Sequence, residues 1–158
     1  MVQPSSILGQ ARWDTKQKKR RTIIGNRAVI SFQATDLETL ALDGVGIYVH
    51  WNGGLESIEA FCKSATQLGI HNPARFIQMI SNWFGGNSSI FVDVISGLDY
   101  NNGDNGTYIV SKDSGEWKVV KRFFVDIEYK VNGHDENVRD MAEDVTRVNA
   151  DFFVNEHR

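Results

Sequence analysis

One cysteine, two prolines and the lack of a long apolar run set the first limits on this 158-residue chain. A single cysteine cannot form an internal disulfide, which excludes a small secreted scaffold held together by disulfides. No apolar stretch approaches the roughly 18 residues that a membrane span needs, and we expect no signal peptide. Two prolines leave no proline-rich linker. We therefore expect a globular, cytoplasmic protein with no membrane partner.

The motifs of several enzyme classes are also missing. The sequence contains no phosphate-binding loop, no G-x-G-x-x-G, no H-E-x-x-H, no C-x-x-C and no G-x-S-x-G. Cys62 falls on the apolar stripe of a predicted helix, where a buried structural thiol is expected. The segment Asp99–Gly106 fails the EF-hand spacing, because loop position 12 would be Val110 instead of glutamate. We predict no metal site, no cofactor and a mobile loop over Asp99–Gly106.

Charge is distributed unevenly along the chain. Residues 1–27 contain seven Lys or Arg and one acid, whereas residues 28–158 contain 10 basic and 19 acidic residues. We predict that residues 1–21 form a basic, flexible segment and that residues 22–158 form a single domain. The cluster Lys16–Arg21 fits three uses: binding nucleic acid, docking on an acidic partner, or packing on the chain's own acidic domain.

Alternating or short apolar runs indicate strands. The predicted strands are Ile23–Ile24, Ala28–Phe32, Ile47–Trp51, Ile90–Ile95, Tyr108–Val110 and Trp117–Val131. Gly25-Asn26 and Asp113-Ser114-Gly115 have the composition of tight hairpin turns. Lys121 interrupts the apolar face of the last strand, which predicts a bulge or bend near it.

Helical spacing of apolar residues occurs in three segments. The first runs from Leu55 to Leu68, and the second begins at Asn72-Pro73 and ends at Gly85-Gly86. We expect the last to pack its apolar seam on the sheet, with a partner helix or a homodimer as the alternative. That seam consists of Val138, Met141, Val145, Val148 and Phe152. A further short turn is predicted at Thr35–Glu38.

This order of elements predicts an α+β fold. We expect a mainly antiparallel sheet with helices packed on one face and a C-terminal amphipathic helix.

The strongest site candidate is a polar and aromatic cluster before two glycines: Tyr48, His50, Trp51 and Asn52, followed by Gly53-Gly54. Tyr48 and His50 share one strand face, and a histidine beside a tyrosine can carry acid–base chemistry near neutral pH. The glycines lead into a helix, whose first N–H groups suit an anion. No nucleophile or orienting carboxylate is evident, and distant ones such as Asp93 converge only in the fold. We therefore favour a hydrogen-bonded, structural His50.

The stretch Gly46–Gly54 resembles a Tyr-x-His-Trp-Asn/Asp-Gly stretch of small proteins of bacteriophages and other mobile elements, in which a helix follows. The match covers Gly46 to Phe61, with a second local match at Asp104–Tyr108. The resemblance implies an accessory protein that binds and inhibits a host macromolecule, as anti-CRISPR and antirestriction proteins do. It implies a host protein or nucleoprotein complex as the partner.

Three functions follow as hypotheses. The first, which we favour, is a non-enzymatic inhibitor that binds its target through the acidic domain or the terminal helix. The second is a small enzyme or ligand-binding protein with a site around Tyr48 and His50, bordered by Trp51 and Asn52. The third is a nucleic-acid binder in which the phosphates are contacted by Lys18, Lys19, Arg20 and Arg21.

Overall fold

The computed structural model describes residues 26–32, 41–85, 89–123 and 135–156. Its five strands are β1 (Ala28–Ser31), β2 (Val45–Val49), β3 (Ile90–Val94), β4 (Thr107–Asp113) and β5 (Glu116–Phe123). They form one sheet in the order β3-β2-β1-β4-β5. β1 and β4 are parallel, whereas the other neighbouring strands are antiparallel. The predicted α+β fold with a mainly antiparallel sheet is confirmed.

Three helices accompany the sheet in the described residues: α1 (Leu55–Gln67), α2 (Pro73–Trp83) and α3 (Asp135–Glu156). The Asn72 side chain caps α2 by accepting the Arg75 N–H at 2.9 Å, as its sequence predicts. Gly69 ends α1 with φ of 69°, and the Ile70 N–H returns to the Ala65 carbonyl. Only glycine adopts this left-handed conformation readily, so Gly69 fixes the end of the helix.

The main core lies between the helices and the inward-facing strand residues. Ile30 and Ile47 come from the sheet, while Phe61, Phe76 and Trp83 come from α1 and α2, and all are fully buried. Burying a large apolar side chain stabilises the fold by about 1.5–3 kcal/mol. This helix-covered face therefore supplies most of the stability.

The C-terminal helix packs against α1 and α2, so the expectation that it packs on the sheet is wrong. Its polar contacts reach both helices, since Thr146 Oγ1 lies 2.8 Å from Ser64 Oγ and Trp83 Nε1 donates to Asp144 at 2.9 Å. The sheet face is already occupied, because α1 packs against β5. The helix therefore forms an outer layer.

The predicted seam of α3 is correct at Met141 and Val145 but wrong at its end. Phe152 is exposed, and Phe153 is buried instead. The buried face instead follows Val145, Asn149 and Phe153, which are spaced by four residues. Each step of four residues turns the face by about 40°, so the buried side reaches Phe153. Since Val145 is fully buried in the chain's own core, it is not available to a partner helix.

The opposite, outer face of the sheet carries a smaller apolar cluster formed by Val29, Ile95 and Leu98, with Tyr48 and Tyr100 packed beside it. Ile95, Leu98 and Tyr100 belong to a 3₁₀ turn over Ile95–Gly97 and to the loop that follows it, and both lie against the sheet. The loop therefore separates part of the outer face from solvent.

Buried Asn102 makes several hydrogen bonds within this loop, whose mobility stays a prediction. Its Oδ1 accepts the N–H groups of Asn105 and Gly106, each at 3.0 Å, and its Nδ2 donates to the carbonyls of Asp99 and Gly106. One asparagine thus satisfies four backbone groups that would otherwise favour open conformations.

The hairpin and the bulge predicted in the second half of the sheet are both present. Ser114 and Gly115 have positive φ angles of 51° and 81° at the turn between β4 and β5. The β4–β5 register shifts between Ile109 and Val110, where Val120 of β5 is the extra residue beside Lys121.

Several predictions lie outside the described residues. They are the basic segment 1–21, the strand Ile23–Ile24 with Gly25, the turn at Thr35–Glu38, and the continuation of β5 to Val131.

Candidate functional site

Tyr48 and His50 lie side by side on the outer sheet face, at the end of β2. Their alternation with buried Ile47 and Val49 directs them away from the helices. Tyr48 Oη lies 2.8 Å from His50 Nδ1. Burial raises the pKa of Tyr48, while nearby Arg27 lowers it to a smaller extent. The phenol therefore stays protonated at neutral pH and shares a hydrogen bond with the imidazole, in which the tautomer of His50 determines the donor.

The surroundings of this pair are aromatic. Among the described residues, the hydrogen-bond partner of the His50 ring is Tyr48, and no carboxylate bonds to it. The His50 ring also contacts Trp51 edge-to-face, with centroids 4.9 Å apart. His50 is thus hydrogen-bonded and packed. The described part of the chain contains no group of three His, Cys, Asp or Glu that could hold a metal.

Asn52 and the glycine pair form the connection from β2 to α1. Asn52 is fully buried with φ of 60°, and neither of its amide atoms has a hydrogen-bond partner in the described structure. The Gly53 N–H donates to the Asn26 carbonyl at 2.9 Å, so this N–H is not free to bind an anion. A Cβ at position 53 would lie 2.4 Å from the same carbonyl oxygen, so any residue larger than glycine would clash there.

Arg27 ties the start of β1 to the loop on the outer face. Its Nε donates to Asp104 at 2.8 Å, its backbone N–H donates to the same carboxylate, and Nη1 donates to Asp99 at 3.2 Å. Partial burial would raise the pKa of Asp104, but the Arg27 hydrogen bonds outweigh it and hold that pKa below its usual value. The Asp104 hydrogen bond likewise raises the pKa of Arg27.

A cleft of about 330 Å³ opens beside this network, between the β2–β3 pair and the 3₁₀ turn. We call it the acidic cleft; its lining consists of Tyr48, Phe91, Val92, Asp93, Gly97, Leu98 and Asp99. Asp93 stands opposite Gly46 of β2, and Phe91 stands opposite Tyr48, so all of these strand residues share the outer face. The volume lies at the small end of the range for ligand pockets.

Exposed apolar side chains concentrate along β3 and the adjacent start of β2. Five of the seven large apolar residues exposed in the described chain lie here; we call them the edge patch: Leu42, Val45, Phe91, Val92 and Val94. Val45 and Val94 are cross-strand partners. In the described sheet β3 is an edge strand, so its outer side has no neighbouring strand.

The residues of the candidate site that the sequence does not indicate are Phe91, Asp99 and Arg27. Asp93 was named only as one of several distant carboxylates, and register is what places it beside Tyr48. The available signal was a charged residue inside an otherwise apolar strand, which is typical of an edge. Lys18, Lys19, Arg20 and Arg21 lie outside the described residues.

Comparisons with protein-family models, curated proteins and solved structures found no match. The resemblance of Gly46–Gly54 to proteins of phages and mobile elements therefore stays a prediction. Within the described residues, no helix is both long and apolar enough to span a bilayer.

Proposed function

We propose that this chain is a non-enzymatic binding protein that holds an extended segment of a partner protein along β3. The observation that carries the proposal is the edge patch: most of the exposed large apolar side chains of the described residues lie on β3 and the adjacent start of β2, on both faces of this sheet edge. Exposed apolar side chains concentrated in one part of a surface typically mark an interaction site. An extended segment that adds to a sheet edge is a common form of peptide recognition.

The backbone of β3 supports this mode of binding. The bonds from the His50 N–H to the Ser89 carbonyl and from the Ile95 N–H to the Gly44 carbonyl bracket the β2–β3 ladder. In antiparallel pairs the bonded residues alternate, so the peptide groups of Phe91 face β2 and those of Val92 face outward. A partner strand can therefore bond to Val92.

Charge favours a basic partner. Residues 28–62 and 76–111, which include the first three strands, contain no Lys or Arg at all. Asp43, Asp93 and Asp99 are exposed around the edge patch. An acidic surface attracts cationic segments and repels nucleic-acid phosphates. A segment that mixes apolar and basic residues therefore fits this edge.

In its biological form, the proposal retains the hypothesis of a phage or mobile-element accessory protein. Such a protein would act in the host cytoplasm by occupying a segment that its host target needs, as anti-CRISPR or antirestriction proteins do. The support is the resemblance at Gly46–Gly54 together with the edge patch, which would inhibit a target by binding alone.

Peptide selection on the immobilised full chain tests the binding proposal. A displayed library of random peptides is selected, and the affinities of individual peptides are then measured by fluorescence anisotropy. Val92→Lys should weaken binding at least tenfold, because it puts a charge in the apolar contact that a partner strand makes.

Val120→Lys on β5 is the matched control, since Val92 and Val120 are exposed to 51% and 50%. The free energies of unfolding of both variants should lie within about 0.5 kcal/mol of the parent's, because substitutions at exposed positions usually change stability little. A selection that yields no peptide, or peptides that bind the Val92 variant as well as the parent, would overturn the proposal.

A further inference from the structure

The acidic cleft combines two aromatic rings with two carboxylates. The Tyr48 and Phe91 rings lie 5.9 Å apart at an interplanar angle of 44°. Asp93 and Asp99 line the same cleft. Aromatic faces and carboxylates both attract cations, and together they form the usual lining of sites for ammonium and guanidinium groups.

The Asp93 carboxylate is held by one backbone hydrogen bond and lies in space that Gly97 leaves open. Its Oδ1 accepts the Val94 N–H at 2.7 Å. Its Oδ2 lies against Gly97, where an added Cβ would approach to within 2.5 Å. Because Gly97 leaves this space, the carboxylate stays beside the rings without blocking the cleft.

The charge of this region is negative even after internal pairing. Arg27 is the cation that the structure places against Asp99 and Asp104, and one guanidinium faces both carboxylates. Asp93 adds a third negative charge on the outer face. A second cation would therefore be attracted to the cleft.

Strand alternation determines which partner side chains reach the cleft. A strand paired with β3 places alternate side chains on opposite faces of the sheet. One set lies beside Val92 and Val94, whereas the other lies beside Phe91 and Asp93. Partner side chains beside Val92 and Val94 have apolar surroundings, whereas those beside Phe91 and Asp93 have aromatic and acidic surroundings.

We propose that the acidic cleft binds the cationic side chain of a lysine or arginine, supplied by the partner segment that pairs with β3. In its use of a partner segment, this inference rests on the proposed function. It adds a recognition pattern, in which apolar and basic residues alternate along the bound strand.

The cleft can be tested without a partner. The probe is n-butylammonium, titrated into the ¹⁵N-labelled full chain and followed by the amide resonances of Tyr48, Phe91 and Gly97. We expect saturable shifts with n-butylammonium and none with n-butanol, which has a similar shape and no charge. Asp93→Asn should weaken the ammonium binding about tenfold, yet its Oδ1 can still accept the Val94 N–H.

Two variants separate carboxylate position from overall charge. Gly97→Ala displaces the Asp93 carboxylate without changing any charge, so it should weaken the binding as Asp93→Asn does. Asp113→Asn removes one exposed negative charge at the β4–β5 turn and should change the affinity less than twofold. Equal losses in Asp93→Asn and Asp113→Asn would overturn the cleft site, and so would equal shifts with n-butanol.

A selected peptide then tests the partner side chain. Replacing its basic residue by uncharged norleucine should weaken binding to the parent about tenfold, and the Asp93→Asn variant should bind both peptides equally. If the loss is the same on both proteins, the cation lies elsewhere and this inference fails while strand docking stands. If Val92→Lys leaves peptide binding unchanged while n-butylammonium binds the parent chain, the proposed function fails. The cleft is then a site for free cations only.

Discussion

The two edge strands of the described sheet, β3 and β5, differ in the chemistry of the side chains that they expose to solvent. β5 exposes Lys118 and Lys121, and it carries a bulge at Val120. β3 contains a single charge, Asp93, among exposed apolar residues. Charged side chains and bulges are the usual means by which proteins prevent unwanted pairing at a sheet edge.

Within the described residues, β5 therefore carries several features that discourage strand pairing, whereas β3 carries one, the Asp93 carboxylate that accepts the Val94 N–H. Trp117 of β5 also turns inward, where it packs against Phe76 and donates its Nε1–H to the Ile70 carbonyl. Phe91 of β3 turns outward and is 58% exposed. An apolar edge promotes aggregation unless it is covered, so its occurrence in a well-packed domain favours a binding role.

The largest expected effect concerns the aromatic residues of the two edges. Trp117→Ala should lower the free energy of unfolding by about 3–5 kcal/mol, because it removes a buried ring from the core. Phe91→Ala should lower it by less than about 1 kcal/mol, since the exposed Phe91 ring buries little apolar surface that the substitution could remove. Urea unfolding of both variants measures the difference. Similar losses would show that β3 is as buried as β5.

The next effect concerns the loop that forms one wall of the acidic cleft. Asn102→Ala should destabilise the protein by about 2–3 kcal/mol, because it leaves the buried N–H groups of Asn105 and Gly106 without their acceptor. Exposed Asn101 provides the control, and its replacement by Ala should be close to neutral. Hydrogen exchange should accelerate at Asn105 and Gly106 but not in β5. Unchanged exchange in the loop would contradict the assigned role of Asn102.

A smaller effect is expected from pH. The pKa of Asp104 in the folded protein lies below its ordinary value near 3.9, since Arg27 stabilises the carboxylate. Its contribution is therefore fully present above that value and is lost as the pH falls through the folded pKa. Asp104→Asn should cost about 1.5 kcal/mol at pH 7 and much less at pH 2. An equal loss at both pH values would contradict the ion pair.

Much of the fold follows from local signals in the sequence. Asn72-Pro73 and Gly69 mark helix ends through capping and a left-handed conformation, and Ser114-Gly115 marks a hairpin. These features depend on neighbouring residues alone. The face shared by Tyr48 and His50 was predictable for the same reason.

The remaining features depend on packing between distant segments. The apolar run from Ile90 predicts a strand but not its place at the edge, which only the strand order supplies. Asp93 and Phe91 reach Tyr48 through the β2–β3 register. The apolar seam predicts a buried Phe152, whereas the buried face of α3 follows Val145, Asn149 and Phe153, and polar Asn149 gives no apolar signal for that face.

Amide hydrogen exchange of β3, measured with and without a selected peptide, tests the central claim most directly. If the partner adds a strand to this edge, binding should slow exchange at Val92, whose N–H faces outward. It should change Phe91 little, because that N–H already bonds to β2. Exchange at Val120 of β5 should not change. Protection of β5 or the helices, with Val92 exchanging as fast as before, would contradict docking at β3.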